Sequence, residues 1–518
     1  MEPEGGSRGR LYGGTVTGDE LTFLVLLIGS AGLDRLVRPR PETRRRGDAG
    51  PESRGMRAGW PGRSLAGMWL QAGIMTAVFG AFLALCGNAP VAAGLALALL
   101  ALLVLVSNAK HAMLGEPLLF SDLALIGAIF RHPQFYLSAI RVWQRVVVAL
   151  IAAVLLGVVS WLFVPALAEH LAGLALAAAG LAVLALSLRC DPFRNLAREP
   201  DAHADVRRHG FLPTLLLYWL RWRESDDPPP CPPPVRQSLA AGEPTPELLL
   251  VIQCESFADP VDLFADPALS LPGLASARAD AWQWGGLEVS GFGAYTMRTE
   301  YGALFGRDED ALGFRRYDPF LTALGEASYA LPARLAHSGW RSLFVHPHDM
   351  RFYGRDRIMP AGGFAELVGE DRFAPVEPGA GRYVTDAAVA SQVLDLARDA
   401  AAGEPTFIYA VTIENHGPWT PSGDETLVQG YLRLVRRSDA MLATLIEQVS
   451  AMARPAMLVF FGDHRPSIPG ATAPGGARHT PYVMIRLDAA GQVVRGENRR
   501  VDLTPAQLHH AVLDAVLR

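Results

Sequence analysis

The residues able to do chemistry in this chain are one hydroxyl in a glycine-rich turn and a scattered set of carboxylates and imidazoles. Thr296 lies in SGFGAYTMRTEYGALFG, residues 290–306, where a glycine-rich loop runs into an apolar-periodic stretch. A hydroxyl at the start of such a helix sits where unpaired backbone N–H groups favour a phosphate, which is a place for a nucleophile. Ordinary helix starts share that pattern, so Thr296 gains weight only from company. The company is Glu255 in VIQCESFADP, His416 in IENHGPW, Asp463 and His464 in VFFGDHRP, and His479 in ARHTPY. These are the donor types that a hard or borderline divalent ion takes.

The elements that must position these groups can be read from periodicity. From about residue 246, short apolar β-type runs alternate with helical spacing, which predicts an α/β domain with a largely parallel central sheet. Strands are expected at 248–253, 342–346, 407–413 and 457–462, with a helix between the last two marked by Leu432, Val435, Leu442, Leu445, Ile446 and Val449. In this register Glu255 follows the first strand and His346 ends the second. Asn415 and His416 follow the third, and Asp463 and His464 follow the fourth. Ligands of doubly wound sheets bind outside the carboxyl ends of the strands, so all these groups fall on the productive edge. The blander alternatives are an Asp463 that caps the next helix and a Glu255 that complements a helix dipole.

Half of the 518 residues are hydrophobic, and they concentrate before Leu188. That pattern predicts a helical transmembrane domain over 1–190, a juxtamembrane helix and proline-rich linker over 191–245, and a catalytic domain over 246–518. About five spans are expected, at residues 21–33, 67–86, 91–109, 146–168 and 171–188, the first of them short for a bilayer core of roughly 20 apolar residues. Nine arginines between Arg35 and Arg63 assign that loop to the cytoplasm by the positive-inside rule. Five spans would then leave the C-terminal domain inside as well. Either an additional crossing near LALIGAIF (residues 123–130) or a failure of the charge rule is needed for an external domain; the same stretch also reads as an interfacial helix.

FLPTLLLYWLRWRE, from Phe211, reads either as a helix lying in the bilayer interface or as a buried helix of the soluble domain. DDPPPCPPPV (226–235) should form a stiff polyproline spacer. Cys86, Cys190, Cys231 and Cys254 have no paired spacing, so neither a zinc knuckle nor a disulfide framework is indicated. The slightly negative net charge and the lack of a basic segment with stacking aromatics exclude a nucleic-acid partner.

At these residues the chain resembles the lipoteichoic acid synthase family, a membrane branch of the alkaline phosphatase and sulfatase superfamily. The resemblance takes in the N-terminal spans, NAKHAMLGEPLLFSDL (108–123) and the region from Glu247 onward. It implies an alkaline phosphatase/sulfatase-like fold with a metal site at Glu255, Thr296, Asp463 and His464. Manganese is the expected ion, with magnesium or zinc as alternatives. It further implies a head-group site at Tyr353, Arg355 and His416, although the family usually carries Trp where Tyr353 stands. His479 resembles an active-site histidine of the related phosphoethanolamine transferases.

The implied activity moves phosphoglycerol from phosphatidylglycerol, through a covalent intermediate on Thr296, to a glycan or similar acceptor. His416 or His479 would serve as general acid or base. Phosphoethanolamine transfer, or hydrolysis of a phosphodiester or sulfate ester, is the alternative within the same chemistry; a lipid-binding regulator without catalysis is the alternative outside it. The expected location is a bacterial inner membrane, crossed several times, with the catalytic domain on the external or periplasmic side.

Overall fold

The computed structural model describes residues 18–37, 63–123, 142–234, 245–377, 381–400, 403–419 and 424–517. They fall into two compact units, one within residues 1–109, 116–120 and 125–217, the other within 110–115, 121–124 and 218–518. LALIGAIF lies almost wholly outside the described residues, as does most of the arginine-rich loop.

The larger unit is built on one sheet of eight strands: β1 Leu248–Cys254, β2 Gln283–Glu288, β3 Arg341–Val345, β4 Glu366–Val368, β5 Thr406–Val411, β6 Ala456–Gly462, β7 His479–Leu487 and β8 Arg499–Arg500. Their order is β4-β3-β5-β1-β6-β7-β2-β8. β1 is parallel to β5 and β6, β3 is parallel to β4 and β5, and β7 runs antiparallel between β6 and β2. Every residue of β1 is buried. Leu248, Leu250 and Ile252 pack with residues of the helices Asp386–Asp399 and Leu427–Ala451, while Leu249 and Val251 pack with residues of Thr296–Phe305 and Pro505–Leu517. Helices on both faces explain why the central strands read as continuous apolar runs rather than alternating ones.

All four expected strands are present, shifted at their ends by no more than two residues. β2 and β7 were not legible. QWGGLE carries two glycines in a six-residue strand, which weakens the β signal, and it is held by antiparallel pairing with β7. The segment 226–234 is neither helix nor strand, as its prolines require, but it is no free spacer. Arg315 pairs with Asp227 at 2.9 Å, the Tyr329 hydroxyl donates to the Pro229 carbonyl at 3.0 Å, and the Cys231 N–H donates to Ser328 Oγ at 2.9 Å. These bonds strap it onto the catalytic unit. The predicted helix before it is also there, Phe211–Glu224, with Phe211, Leu217 and Tyr218 fully buried.

In the helical unit, Leu65–Cys86, Ala89–Leu114 and Leu167–Leu188 are the three helices among the described residues that are long and apolar enough to cross a membrane. Helices stand at all five expected positions, with the bounds of two of them moved. The first helix, Gly18–Asp34, has 17 residues, and the expected fourth span runs Val142–Trp161 instead, ending before Pro165. Proline lacks an N–H and disfavours helix at the residue before it, so the break falls there. Asp34 is 3 % exposed; it pairs with Arg63 at 2.6 Å and accepts the Phe211 N–H at 2.7 Å, capping that helix from a distant part of the chain.

Leu65–Cys86 and Leu167–Leu188 meet through small residues. A Cβ on Gly80 would lie 2.3 Å from the Ala177 nitrogen, and one on Gly173 would lie 2.2 Å from the Ala84 nitrogen. Apolar helices gain little from hiding from lipid, so close van der Waals packing has to hold them together. Replacing Gly80 or Gly173 with Leu is expected to lower the thermal midpoint of the detergent-solubilised protein. Gly94→Leu, where the added carbon meets nothing within 4 Å, should leave it unchanged.

Candidate active site

Each predicted site residue can be traced to the element that places it. Glu255 leaves the end of β1 and is 4 % exposed; Asp463 and His464 leave the end of β6 and are 0 % and 5 % exposed. Because β1 and β6 are adjacent and parallel, with Cys254 opposite Gly462, the next residues of both strands converge. Ligand atoms of Glu255, Asp463 and His464 all lie within 4.8 Å of one another. His464 Nε2 is 3.3 Å from Glu255 Oε1 and 3.7 Å from Asp463 Oδ2.

Thr296 is buried and is the first residue of the helix Thr296–Phe305, where the helix N-terminus has no side-chain cap. The turn before it needs Gly293, whose φ is +72° and whose absent Cβ would lie 2.8 Å from Leu114.

The electrostatics of the centre are those of an incomplete site. Burial and the neighbouring Glu255 carboxylate raise the Asp463 pKa; His464, the Ser256 N–H and the Thr296 hydroxyl act in the opposite sense. Burial also pushes Glu255 up, but the charges of His416 and His464, with hydrogen bonds from His464 and Ser256, outweigh it and hold Glu255 low. Burial depresses His464, and the two carboxylates more than offset that. Asp463 Oδ1 accepts from the Ser256 N–H at 2.8 Å, whereas Oδ2 is buried and accepts no hydrogen bond among the described residues. His464 Nδ1 faces the Arg465 carbonyl at 3.2 Å, so the neutral tautomer bonded there turns the lone pair of Nε2 toward the carboxylates. Two carboxylates, one of them with an orphaned oxygen, and an imidazole nitrogen facing both fit a divalent cation.

Ser256 holds this geometry in place. Its φ is +50°, a strained value for a residue other than glycine, and its Oγ donates to Glu255 Oε1 at 2.9 Å while its N–H serves Asp463. Asn415 is buried and donates to the Ser256 carbonyl at 3.4 Å, and its Oδ1 accepts from the Trp419 indole at 2.9 Å. It therefore ties the β5 loop to the β1 loop and is not itself turned to the cluster. Ser256 carries no motif, and only its position beside Glu255 could have drawn attention to it.

His416 Nδ1 donates to the Gly417 carbonyl at 2.7 Å, and the charge of the protonated ring acts on Glu255. His346 and His348 stand nearby. Burial, then the Arg355 charge, lowers His346 well below the usual histidine range, and burial is the main cause that brings His348 to about 4. Both are therefore neutral imidazoles at neutral pH. His346 was legible only as a strand end.

His479 opens β7 and is exposed. Its carbonyl accepts from Arg465 Nε at 2.7 Å, and it lines a cleft of about 250 Å³ with Trp284, Arg278, Arg500 and Asp502.

Arg355 is 1 % exposed and begins the helix Arg355–Ala361. Its Nε and Nη2 bond Glu300 Oε1 and Oε2 at 3.0 and 2.5 Å, a two-point pair with a carboxylate one turn beyond Thr296 on the helix Thr296–Phe305. Tyr353, with φ +59°, presents its ring 5.3 Å from the Arg355 guanidinium carbon. Glu300 could not have been singled out from the sequence, because nothing local separates it from a solvated helix acid.

A sequence profile of the Sulfatase family matches residues 247–513, more than half of the chain. The chain is 28 % identical over 462 residues to the capsular polysaccharide biosynthesis protein RkpI of Rhizobium meliloti (strain 1021), covering 85 % of each. A putative cyclic beta-1,2-glucan modification protein of the same organism is 25 % identical over 235 residues, 42 % of this chain and 36 % of that one. Among solved structures, the integral membrane lipooligosaccharide phosphoethanolamine transferase A of Neisseria meningitidis superposes with a TM-score of 0.51 at 14 % identity over 87 % of each chain, a likeness of fold.

Two outcomes are expected of the site. Asp463→Asn removes a buried charge that lacks a full set of partners, so it should raise the thermal midpoint of metal-free protein while abolishing the rise that Mn²⁺ produces in the parent; differential scanning with and without the ion measures both. Glu300→Gln leaves the Arg355 charge buried without its counter-ion and should cost about 3–5 kcal/mol, read as an earlier denaturant midpoint for the catalytic unit.

Proposed function

Because the chain belongs to the Sulfatase family, whose members depend on a metal ion, we propose that it is a membrane-held transferase. In this reading it moves phosphoglycerol from phosphatidylglycerol to a glycan through a covalent intermediate on Thr296. The observation that carries the reading is the convergence of a buried helix-N-terminal hydroxyl with Glu255, Asp463 and His464, one oxygen of which is orphaned.

Glu255, Asp463 and His464, with Thr296 itself, would hold the divalent ion, manganese in this reading. Such an ion, when bound, lowers the pKa of a nearby hydroxyl and offsets charge on phosphoryl oxygens. Thr296 Oγ releases its proton to solvent and attacks the phosphorus, and the bond from phosphorus to the diacylglycerol oxygen breaks; when the acceptor later displaces it, Thr296 Oγ takes a proton back from solvent. The helix N-terminus beneath Thr296 favours the phosphoryl charge. His416, which already acts on Glu255, protonates the departing diacylglycerol oxygen and later takes the proton of the acceptor hydroxyl that displaces Thr296. His479, exposed at the start of β7, is the alternative for the acceptor half of the reaction. Tyr353 and the edge of Arg355 turned away from Glu300 are left for the glycerol head group.

The glycan acceptor is supported by the names of the two bacterial relatives, one in capsular polysaccharide biosynthesis and one in glucan modification. A lipid donor accounts for tethering the catalytic unit to apolar helices, since tethering raises its effective concentration over the head groups. In this reading the catalytic unit lies on the periplasmic side of the inner membrane.

The test is the intact mass of purified protein after incubation with phosphatidylglycerol or phosphatidylethanolamine micelles and Mn²⁺. A glycerophosphate adduct is expected with the first lipid only, and none in Thr296→Ala. An ethanolamine phosphate adduct formed in place of it would overturn the donor assignment, and an undiminished adduct in Thr296→Ala would overturn the nucleophile.

A further inference from the structure

Tyr383 lies in the short stretch before the helix Asp386–Asp399, across from His416. Its ring meets the His416 imidazole edge-on, with centroids 5.6 Å apart and planes at 72°. The Arg382 guanidinium carbon is 5.0 Å from the centre of the same ring. The phenol oxygen is buried and makes no hydrogen bond among the described residues. A hydroxyl removed from water without a partner is a cost that folds rarely carry, and where one persists beside a reactive centre it calls for a missing partner.

The surroundings identify the kind of partner required. Burial and, further down, the Glu255 carboxylate hold the phenol above its ordinary pKa, so the group keeps its proton and acts as a donor. The ring packs against His416, and the charge of Glu255, one of the cluster's carboxylates, acts on the phenol. The geometry therefore calls for an anionic acceptor that arrives with the substrate.

We propose that Tyr383 is a further substrate-contacting residue, its O–H donating a hydrogen bond to a non-bridging oxygen of the phosphoryl group held at the Glu255–Asp463–His464 centre. The bond is made without proton transfer, so Tyr383 leaves each half-reaction as it entered. The inference rests on the reading of that centre as a phosphodiester site, but it does not need Thr296 to be the nucleophile. Nothing in the stretch GRYVTD announces this role; it comes from the tertiary pairing with His416.

The test uses inorganic phosphate as the probe and the thermal midpoint of the full-length, Mn²⁺-loaded protein as the readout, in the parent, Thr296→Ala and Tyr383→Phe. Without phosphate, Tyr383→Phe should be as stable as the parent or more so, because it deletes an unpaired buried hydroxyl. With phosphate, it should need about tenfold more anion for the same shift, the equivalent of one lost hydrogen bond to a charged group. Thr296→Ala should still respond, which separates this proposal from the nucleophile assignment tested by the lipid adduct. An unaltered phosphate response in Tyr383→Phe, a lower midpoint in that variant without phosphate, or no phosphate response in the parent would each overturn the proposal.

Discussion

Two carboxylates buried side by side at the edge of one sheet repel each other, and much of this molecule can be understood from that constraint. Glu255 and Asp463 end adjacent parallel strands, so the sheet itself forces them together. In a low-dielectric site the repulsion is relieved by a proton, by an imidazolium or by a metal ion. Burial and the Glu255 carboxylate push Asp463 up, while the His464 charge opposes that for both carboxylates. A site arranged in this way has a use for a divalent cation.

The second constraint couples the helix that begins at Thr296 to the loop that carries Tyr353 and Arg355. Glu300 and Arg355 are both withdrawn from water, so neither charge is tolerable without the other. Their two-point geometry fixes the helix that begins at Thr296 relative to the segment that carries Tyr353 and Arg355. A shift of the loop is therefore felt on that helix, and the neutral histidines His346 and His348 owe part of their low pKa to the same guanidinium. Arg355 thus serves the architecture before it serves any ligand, a role that the resemblance to the family does not imply.

The helical unit obeys a different rule. Its helices are apolar on most sides, so composition says that they belong in a membrane but does not say how they touch. Gly80 and Gly173 let the backbones of two helices approach, and the buried Asp34 gathers Arg63 and the Phe211 amide at one place. In a setting where hiding apolar surface brings little gain, close packing and a few polar bonds supply the specificity.

The sequence by itself determined the α/β class, the four central strands and the arrival of Glu255, Asp463 and His464 at their carboxyl ends. It could do so because a strand buried on both faces leaves an uninterrupted apolar run, and the residues just beyond that run must lie at the sheet edge. It also marked Thr296, since a glycine turn before a helix is a local pattern. It set the bounds of the fourth span too late, because apolar composition does not report where Pro165 interrupts the helix between Trp161 and Leu167. Only the tertiary structure decided that β2 with its two glycines joins the sheet, that Ser256 braces the carboxylates, that the proline segment is strapped to the catalytic unit, and that Arg355 is paired with Glu300. Each of those is a contact between residues distant in the chain, or a backbone angle imposed by such contacts, and local periodicity carries no record of either.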